Sequence, residues 1–214
     1  MRPTTLWQAH LNGLLWGLGN GMVSTTLVTY LARELGAEGT AIGLILASPN
    51  LAGGLRLFTP WVLRWVGSRK WFAVIAFLLS CLLLIALPIV CRPDPLASDA
   101  WKLPWLVTLW GGWHLAMFLG AIALWSWLGD VARSETRGTF IGLRTSLLAI
   151  GNIVGILAAA AFTHWYPQWN THADRWEALA VPAFAGGWCM IAAIIPLIWM
   201  REPPLFTPPR GNAR

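Results

Sequence analysis

Polar side chains recur at regular spacing near the start of an otherwise apolar sequence. The row, with members four or eight residues apart, consists of Gln8, Asn12, Asn20 and Ser24, with Trp16 in the gap. Residues four apart on an α-helix share a face, so the row predicts one polar helix face. Amides and hydroxyls inside a membrane are costly unless they meet water or polar partners. The row therefore predicts either a water-facing cavity for a small solute or hydrogen bonds between helices.

His114 belongs to a second group able to do chemistry, because two tryptophans accompany it. Trp113 precedes it directly, and Trp110 lies one helical turn before it. A buried imidazole can bind a ligand, respond to protons or serve as a hydrogen-bonded core residue. It can also be an axial ligand of a haem or a chlorophyll-like pigment. The deep indole N–H groups themselves need hydrogen-bond partners or a wet cavity.

The polar residues Asn50 and Arg56 in the second apolar stretch have structural as well as functional explanations. Pro49 frees a carbonyl and bends a helix, so Asn50 is expected to repair the freed hydrogen bonds. The Arg56 guanidinium either extends to the membrane surface or points inward and pairs with an anion or a carbonyl. The predicted cavity residues are Asn12, Trp16, Asn20, Ser24, Arg56, Trp110, Trp113 and His114.

Six apolar stretches carry these residues, and none contains Asp or Glu. Their approximate limits are 6–31, 40–62, 71–91, 103–128, 140–162 and 179–200. A bilayer span needs about 20 apolar residues and must satisfy its own backbone hydrogen bonds, so each stretch is predicted to be a transmembrane helix. We predict an all-α polytopic membrane protein, with six spans within residues 1–202 and a cytoplasmic Pro/Arg tail at 203–214.

The basic residues predict the orientation of the spans. Ten Lys and Arg side chains, Arg144 among them, are assigned to one side and four to the other. The side richer in Lys and Arg is cytoplasmic, so both termini are predicted to be cytoplasmic. Because the basic residues distribute by membrane side, the net charge of +6 does not indicate nucleic-acid binding.

Small residues four apart allow helices to approach closely. Such strips occur in the first, second, fourth and fifth stretches, whereas the third stretch has no glycine. We therefore predict that these four stretches are central and that the third lies at the lipid periphery. The strips are Gly13, Gly17 and Gly21; Gly39, Gly43 and Ala47; Gly112, Ala116 and Gly120; and Gly151 and Gly155.

Motifs for catalysis and metal binding are missing from the sequence. It contains no HExxH, Walker A or GxGxxG pattern and no Ser/His/Asp arrangement. Its three cysteines lack metal-ligand spacing and are predicted to be packing residues. We therefore expect no enzyme activity, no metal and no bound cofactor.

The loop between the second and third stretches ends in Gly67, Ser68, Arg69 and Lys70. It resembles the loop after the second helix in the major facilitator superfamily, a family of twelve-helix transporters, whose members carry the motif Gly-x-x-x-Asp-Arg-x-Gly-Arg-Arg/Lys. Gly67, Arg69 and Lys70 match the Gly-Arg-Arg/Lys end of this motif, with Ser68 inserted after the glycine. Its first Gly, its Asp and its first Arg are replaced here by Pro60, Arg64 and Trp65.

The joint after the fourth stretch strengthens the resemblance. Segment 125–130, which ends in Asp130, and segment 137–144, which begins with Arg137, are similar to one prokaryotic branch of the family. The entry to the second stretch at 36–44 is similar to that branch as well. The resemblance implies a location in the cytoplasmic (inner) membrane of a bacterium.

The resemblance also implies an arrangement of the six helices. The chain would be an amino-terminal half, built of two three-helix repeats of inverted topology. The first and fourth helices would line a central cavity, the second and fifth would face the other half, and the third and sixth would lie outside. The tail would begin the loop that joins the halves.

Two functions are compatible with this resemblance. Alternating access rocks one half against the other, so the expected function is a half-transporter module that moves a small solute together with a second copy or a partner chain. The alternative is a non-transporting structural or assembly subunit of a larger membrane complex, with or without a pigment or cofactor. The expected partners are the lipid bilayer and either a second six-helix half or other membrane subunits, and no nucleic acid.

Overall fold

The apolar stretches fold into a bundle of α-helices. The computed structural model describes residues 3–58, 61–62, 66–94, 101–132, 135–171, 174–200 and 202, and leaves the side chains of 3, 4, 55 and 56 undescribed. The helices are α1 (Pro3–Met22), α2 (Thr25–Glu34), α3 (Gly39–Gly54), α4 (Arg69–Val90), α5 (Lys102–Val131), α6 (Arg137–Trp169) and α7 (Arg175–Trp199), with a 3₁₀ turn at Leu55–Phe58 after α3. These ranges contain no β-strand. The predicted site side chain of Arg56 and the predicted tail 203–214 lie outside the described residues.

Four helices, α4 to α7, are long and apolar enough to cross a membrane. They correspond to the third to sixth predicted stretches, and each is bounded by charged residues or breakers. α5 and α6 are longer than the sequence predicts, at 30 and 33 residues. A helix rises about 1.5 Å per residue, so both extend beyond a hydrocarbon layer of about 30 Å.

The first predicted stretch, 6–31, differs from the expectation of one continuous helix. α1 ends at Met22, and α2 begins two residues after Val23. Ser24 caps α2, since its Oγ accepts a hydrogen bond from the Leu27 backbone N–H at 3.3 Å. A serine at this position satisfies an N–H that has no partner within the helix. Residues 6–31 contain no Asp, Glu, Lys or Arg, so the distribution of charge does not reveal the break.

The helices pack in a reciprocal pattern. α1 packs most extensively against α6 and also against α7, while α5 packs against α4 and α3. α4 and α7 contact each other. The first three stretches contain α1, α3 and α4, and their counterparts among the last three are α5, α6 and α7. When each helix is exchanged with its counterpart, the α1–α6 contact becomes α5–α3, and the α1–α7 contact becomes α5–α4. The bundle therefore has the contact pattern of two related three-helix units.

Glycine contacts hold α1 and α6 together at close range, as the small-residue strips predict. A methyl group at Gly17 would collide with the Leu148 carbonyl oxygen. On the facing helix, a methyl group at Gly155 would collide with the Leu18 carbonyl oxygen. The backbones are therefore in direct contact, and the predicted contact strips of the first and fifth stretches are confirmed.

The glycine ranking fails for the second and third stretches. In α3, a Cβ at Gly39 or Gly43 would meet no atom within 4 Å, so this strip is unused inside the chain. α4 has no glycine, yet its buried residues Phe77, Cys81 and Leu84 form one face against neighbouring helices. Glycine reports how closely two backbones approach, whereas larger side chains can cover a helix just as completely.

Burial also separates α6 from the other long helices. Only 17% of its most apolar window is buried, compared with 50% for α4 and α7. Its buried residues Phe140, Arg144, Gly151, Gly155 and Ala159 form a single narrow face towards α1. Apart from a smaller contact with α7, the remaining surface of α6 is largely uncovered within the described part of the chain.

We predict opposite effects for two Gly→Ala substitutions. Gly17→Ala forces α1 and α6 apart and should lower stability by about 1–3 kcal/mol, the usual cost of overpacking. Gly129→Ala, in α5, adds a methyl group where nothing lies within 4 Å and should be neutral or stabilising by up to about 1 kcal/mol through helix propensity. Thermal unfolding in detergent can be followed with a thiol-reactive dye, because Cys81, Cys91 and Cys189 are free. Equal midpoints for the two variants would contradict the close α1–α6 contact.

Candidate functional site

A cavity of about 360 Å³ opens at the break between α1 and α2. Residues from α3, α5 and α6 complete its wall. Five of the eight predicted cavity residues line it. The lining residues are Asn20, Val23, Ser24, Thr25, Pro49, Trp110, Trp113, His114, Met117, Phe118, Asn152 and Ile156.

The helix break contributes directly to this cavity. Val23 and Ser24, the two residues between α1 and α2, both line it. Irregular backbone at membrane depth is tolerated only where it is buried in protein or lines a wet cavity. Broken helices mark the substrate sites of many secondary transporters for this reason. The break is thus a structural indication of a binding site, and Ser24, the last member of the polar row, lies in it.

Polar groups with spare hydrogen-bonding capacity face this cavity. His114 is 5% exposed, and neither of its ring nitrogens has a hydrogen-bond partner among the described residues. The Trp113 indole N–H is unpartnered in the same part of the structure. Asn20 Nδ2 donates to Asn152 Oδ1 at 3.3 Å. The Asn20 amide therefore bonds between helices and also lines the cavity, which combines the two interpretations of the polar row.

Aromatic rings form a fixed wall on α5. Trp110 and Trp113 stack with ring centroids 4.6 Å apart. The His114 ring is edge-on to both, at 4.6 and 4.3 Å. Aromatic pairs favour these offset and T-shaped arrangements. The imidazole is thus held in one orientation by ring contacts instead of by hydrogen bonds.

Trp110 is anchored by the proline in α3. Pro49 has no N–H, so the Ile45 carbonyl four residues earlier loses its helical partner. The Trp110 Nε1 donates to this carbonyl at 3.1 Å. The sequence prediction that Asn50 repairs the helix is wrong, because the indole reaches the freed carbonyl from the buried side while Asn50 is exposed.

A second, smaller cavity of about 80 Å³ lies beside Asn12 and Trp16. The structure therefore separates these two predicted residues from the other five. Asn12 Nδ2 donates to the Ala193 carbonyl at 2.8 Å, and its Oδ1 accepts from Arg144 Nη2 at 2.7 Å. Met117 lines both cavities, so the two adjoin.

The position of Arg144 changes the count of basic residues from which the orientation of the spans is predicted. The sequence places it near the start of the fifth stretch and counts it with the cytoplasmic residues, but it is 3% exposed. α6 begins at Arg137, so Arg144 lies two turns inside the helix. Its spacing from Gly151 and Gly155 places it on the packed face and could have revealed this. Without it, nine basic residues against four still give the same orientation.

The predicted loop motif residues meet in part at one end of the bundle. Arg69 Nη1 donates to Ser126 Oγ at 2.9 Å, and Nη2 pairs with the Asp130 carboxylate. Lys70 Nζ donates to the carbonyls of Ile198 and Met200 at 2.6 and 2.7 Å. These contacts tie the start of α4 to the ends of α5 and α7.

The remaining loop residues divide between this network and the surface. Glu202, not singled out by the sequence, accepts hydrogen bonds from Ser68 Oγ and the Arg69 backbone N–H. A carboxylate at a helix N-terminus is favourable because the helix dipole is positive there. Gly67 and Arg137 are exposed and do not contribute to the network. Among the described ranges, no group of three His, Cys, Asp or Glu side chains is placed to hold a metal ion.

An all-helical bundle with membrane-length helices and a polar cavity at a helix break has the architecture of solute transporters. The family model of the Major Facilitator Superfamily matches residues 10–213, and the chain belongs to this superfamily. Its members are transporters and not enzymes. No curated protein and no solved structure matches the chain.

We predict that the hydrogen bond of Trp110 distinguishes it from its neighbour Trp113. Both Trp→Phe substitutions remove the same volume from a fully buried site, but only Trp110→Phe leaves the Ile45 carbonyl unpaired. An unsatisfied buried carbonyl costs about 1–3 kcal/mol, so Trp110→Phe should be the less stable variant by that amount. Thermal unfolding of the two purified variants measures the difference. A Trp113→Phe protein that is equally or more destabilised would show that the indole does not stabilise α3.

Proposed function

We propose that this chain is a half-transporter module, with six spans and cytoplasmic termini, that moves a small solute through the 360 Å³ cavity together with a second six-helix half. The chain's superfamily supports transport as the general function. The reciprocal helix contacts support two inverted three-helix repeats. On this proposal, α1 with α2 forms the first span, and α3 with its 3₁₀ turn belongs to the second.

Ion pairs at the two ends of the bundle support the alternating direction of the spans. Arg69 and Asp130 join the start of α4 to the end of α5. At the opposite ends of these elements, Arg92 after α4 pairs with Glu177 near the start of α7. Arg175 pairs with Glu34 at the end of α2. Charged groups thus collect at two levels, as expected for loops on the two faces of a membrane.

We infer the need for a second half from the composition of the exposed faces of α3 and α6. On α3 the exposed surface contains Gly43 and Asn50, and on α6 it contains Thr145 and Ser146. Small residues stabilise membrane helices by close packing with another helix, and polar ones do so by hydrogen bonds across helices. The outward face of α4, in contrast, presents leucines that suit lipid, such as Leu82. The faces of α3 and α6 therefore favour protein contact, and we assign them to the second half.

The cavity suggests how the solute is held. Asn20 and His114 offer hydrogen bonds, the aromatic wall on α5 offers a flat apolar surface, and the broken first span offers backbone groups. No Asp or Glu lies within the predicted spans, so coupling to protons through an intramembrane carboxylate is not part of the proposal.

The second candidate function is a non-transporting subunit of a larger membrane complex. The observation that favours it is the altered loop motif, in which Arg64 replaces the Asp that engages the opposite half in the family. The same faces of α3 and α6 would then pack against other membrane subunits. A pigment or haem bound through His114 would give the purified protein visible absorbance.

We predict that the α3 face binds the second half. Gly43→Leu should break the association by filling the small-residue strip, while Leu82→Trp, on the lipid-facing side of α4, should leave it intact. Light scattering in nanodiscs measures the protein mass, and mass spectrometry identifies the second body. A second copy, or another chain with six membrane helices, supports the half-transporter. A wild-type chain that stays single would contradict it, and association with proteins of other architecture would favour the second candidate.

We further predict that transport depends on Asn20 and His114. In cells producing the protein, Asn20→Ala and His114→Ala should each reduce uptake of the transported solute about tenfold, the equivalent of one hydrogen bond of about 1.4 kcal/mol. The solute is found by screening a panel of labelled small molecules against cells lacking the protein, with Leu82→Ala as the control variant. Uptake that is unchanged in both cavity variants would count against this cavity as the route.

A further inference from the structure

We propose that the 80 Å³ cavity beside Arg144 binds a small oxyanion through the guanidinium group. The proposal rests on the proposed transport function for its biological role, and it names the class of solute that this function would handle. Carboxylates and inorganic phosphate share the chemistry that the site recognises, namely negatively charged oxygens that accept from a planar donor group.

Arg144 is a buried charge without a countercharge. No ion pair of Arg144 occurs in the part of the chain that the structure describes. Two neutral groups contact it: Asn12 Oδ1 accepts one hydrogen bond at 2.7 Å, and the Trp125 ring lies 4.8 Å from the guanidinium carbon. Arginine stays protonated in proteins, so the site carries a full positive charge. Burying such a charge is strongly unfavourable unless it is paired.

Most of the N–H donors of Arg144 make no hydrogen bond within the described part of the chain. A guanidinium has five N–H groups. The described structure pairs one of them with Asn12, and the buried Nε has no partner. Arginine binds carboxylate and phosphate through two parallel N–H···O bonds, which are stronger than bonds between neutral groups. The guanidinium therefore offers paired donors of the kind that bind an oxyanion, and no negatively charged group of the described structure pairs with it.

The cavity around the guanidinium is preformed and mostly apolar. Asn12 is held by its bond to the Ala193 carbonyl, so its Oδ1 keeps Arg144 in place. A single water needs about 10–15 Å³ of such space, so 80 Å³ accommodates a ligand of several atoms. Apolar surroundings strengthen a charge-assisted hydrogen bond. The lining residues are Asn12, Trp16, Phe77, Met117, Ala121, Leu124, Trp125, Arg144 and Leu148.

The position of this cavity connects it with the larger one. Met117 lines both cavities, and no Asp or Glu among the described residues lines either of them. A ligand in the larger cavity is therefore attracted towards Arg144 if it carries negative charge. None of the predicted spans contains an acid, so a second copy of this chain cannot supply an intramembrane carboxylate to Arg144. The negative charge must come from a bound solute or from a partner of different sequence.

The test is anion binding by the purified full-length chain in nanodiscs. Sodium formate, acetate, nitrate and phosphate are titrated separately, with ionic strength held constant by sodium gluconate, which is too large for the cavity. Trp16 and Trp125 line the site, so intrinsic fluorescence should change saturably with at least one small anion. The same anion should raise the unfolding temperature of the wild-type chain. No saturable change and no thermal shift with any of the four anions would overturn the proposal.

Matched variants assign the binding to Arg144. Arg144→Gln should weaken binding at least tenfold, and Arg144→Lys should retain part of it, because it keeps the charge but loses the paired donors. Arg33→Gln removes an exposed arginine at the end of α2 and should bind like the wild type. Unchanged affinity in Arg144→Gln would overturn the assignment. If Arg144→Gln does not fold, the anion-dependent thermal shift of the wild type, compared with that of Arg144→Lys, decides the question.

The outcomes also separate this proposal from the proposed function. Anion binding by a chain that never associates with a second half and transports nothing would sustain the site and refute the half-transporter. Transport of a neutral solute that is unaffected by Arg144→Gln, without anion binding, would sustain the transporter and refute the site. A carboxylate supplied by a partner of different sequence would abolish the response to added anions, which also counts against the proposal.

Discussion

Polar groups inside the hydrocarbon layer must find partners within the protein, and this constraint decides which helices meet and where. The most consequential contacts are hydrogen bonds from a side chain of one helix to a backbone carbonyl of another. Trp110 binds the Ile45 carbonyl, Asn12 binds the Ala193 carbonyl, and Trp176 Nε1 binds the Pro88 carbonyl at 3.3 Å. Each bond fixes the register of two helices as well as satisfying a group that lipid cannot satisfy. Trp110 and Trp176 are therefore structural connectors between helices.

The sequence predicted the membrane class, the long helices and the glycine contact strips of the first and fifth stretches because each depends on a local pattern. Hydropathy over about 20 residues reports spans, and glycine spacing reports close approach. Five of the predicted cavity residues lie around one cavity because they share helix faces. The features that the sequence did not reveal each depend on one particular interaction or helix end. The break at Ser24 is set by one capping bond, and the site of Arg144 is set by where α6 begins. Asn50 was assigned a role that belongs to Trp110, 60 residues later in the chain, and no local pattern contains that information.

The covered and uncovered faces of the bundle have different chemistry, and this difference is informative. α1 packs against α6 and α7, and α4 packs against α5 and α7 on one side while its other side faces outward. The outward faces of α3 and α6 combine large apolar side chains with exposed glycines and hydroxyls. Lipid covers apolar side chains well but gives no advantage to an exposed glycine. The unused small residues thus distinguish a protein-facing surface from a lipid-facing one on helices of similar hydropathy.

The division of the first span into α1 and α2 has a mechanical consequence. α1 is fixed to α6 by direct backbone contact at Gly17 and Gly155. α1 also packs against α7, whereas α2 contacts α7 and α3 less extensively, and Glu34 at its end pairs with Arg175 at the start of α7 at 3.0 Å. Val23 and Ser24 therefore join a firmly packed helix to a more lightly packed one. A change in the tilt of α2 is concentrated at these two residues, and the rim of the cavity is the first place to change shape.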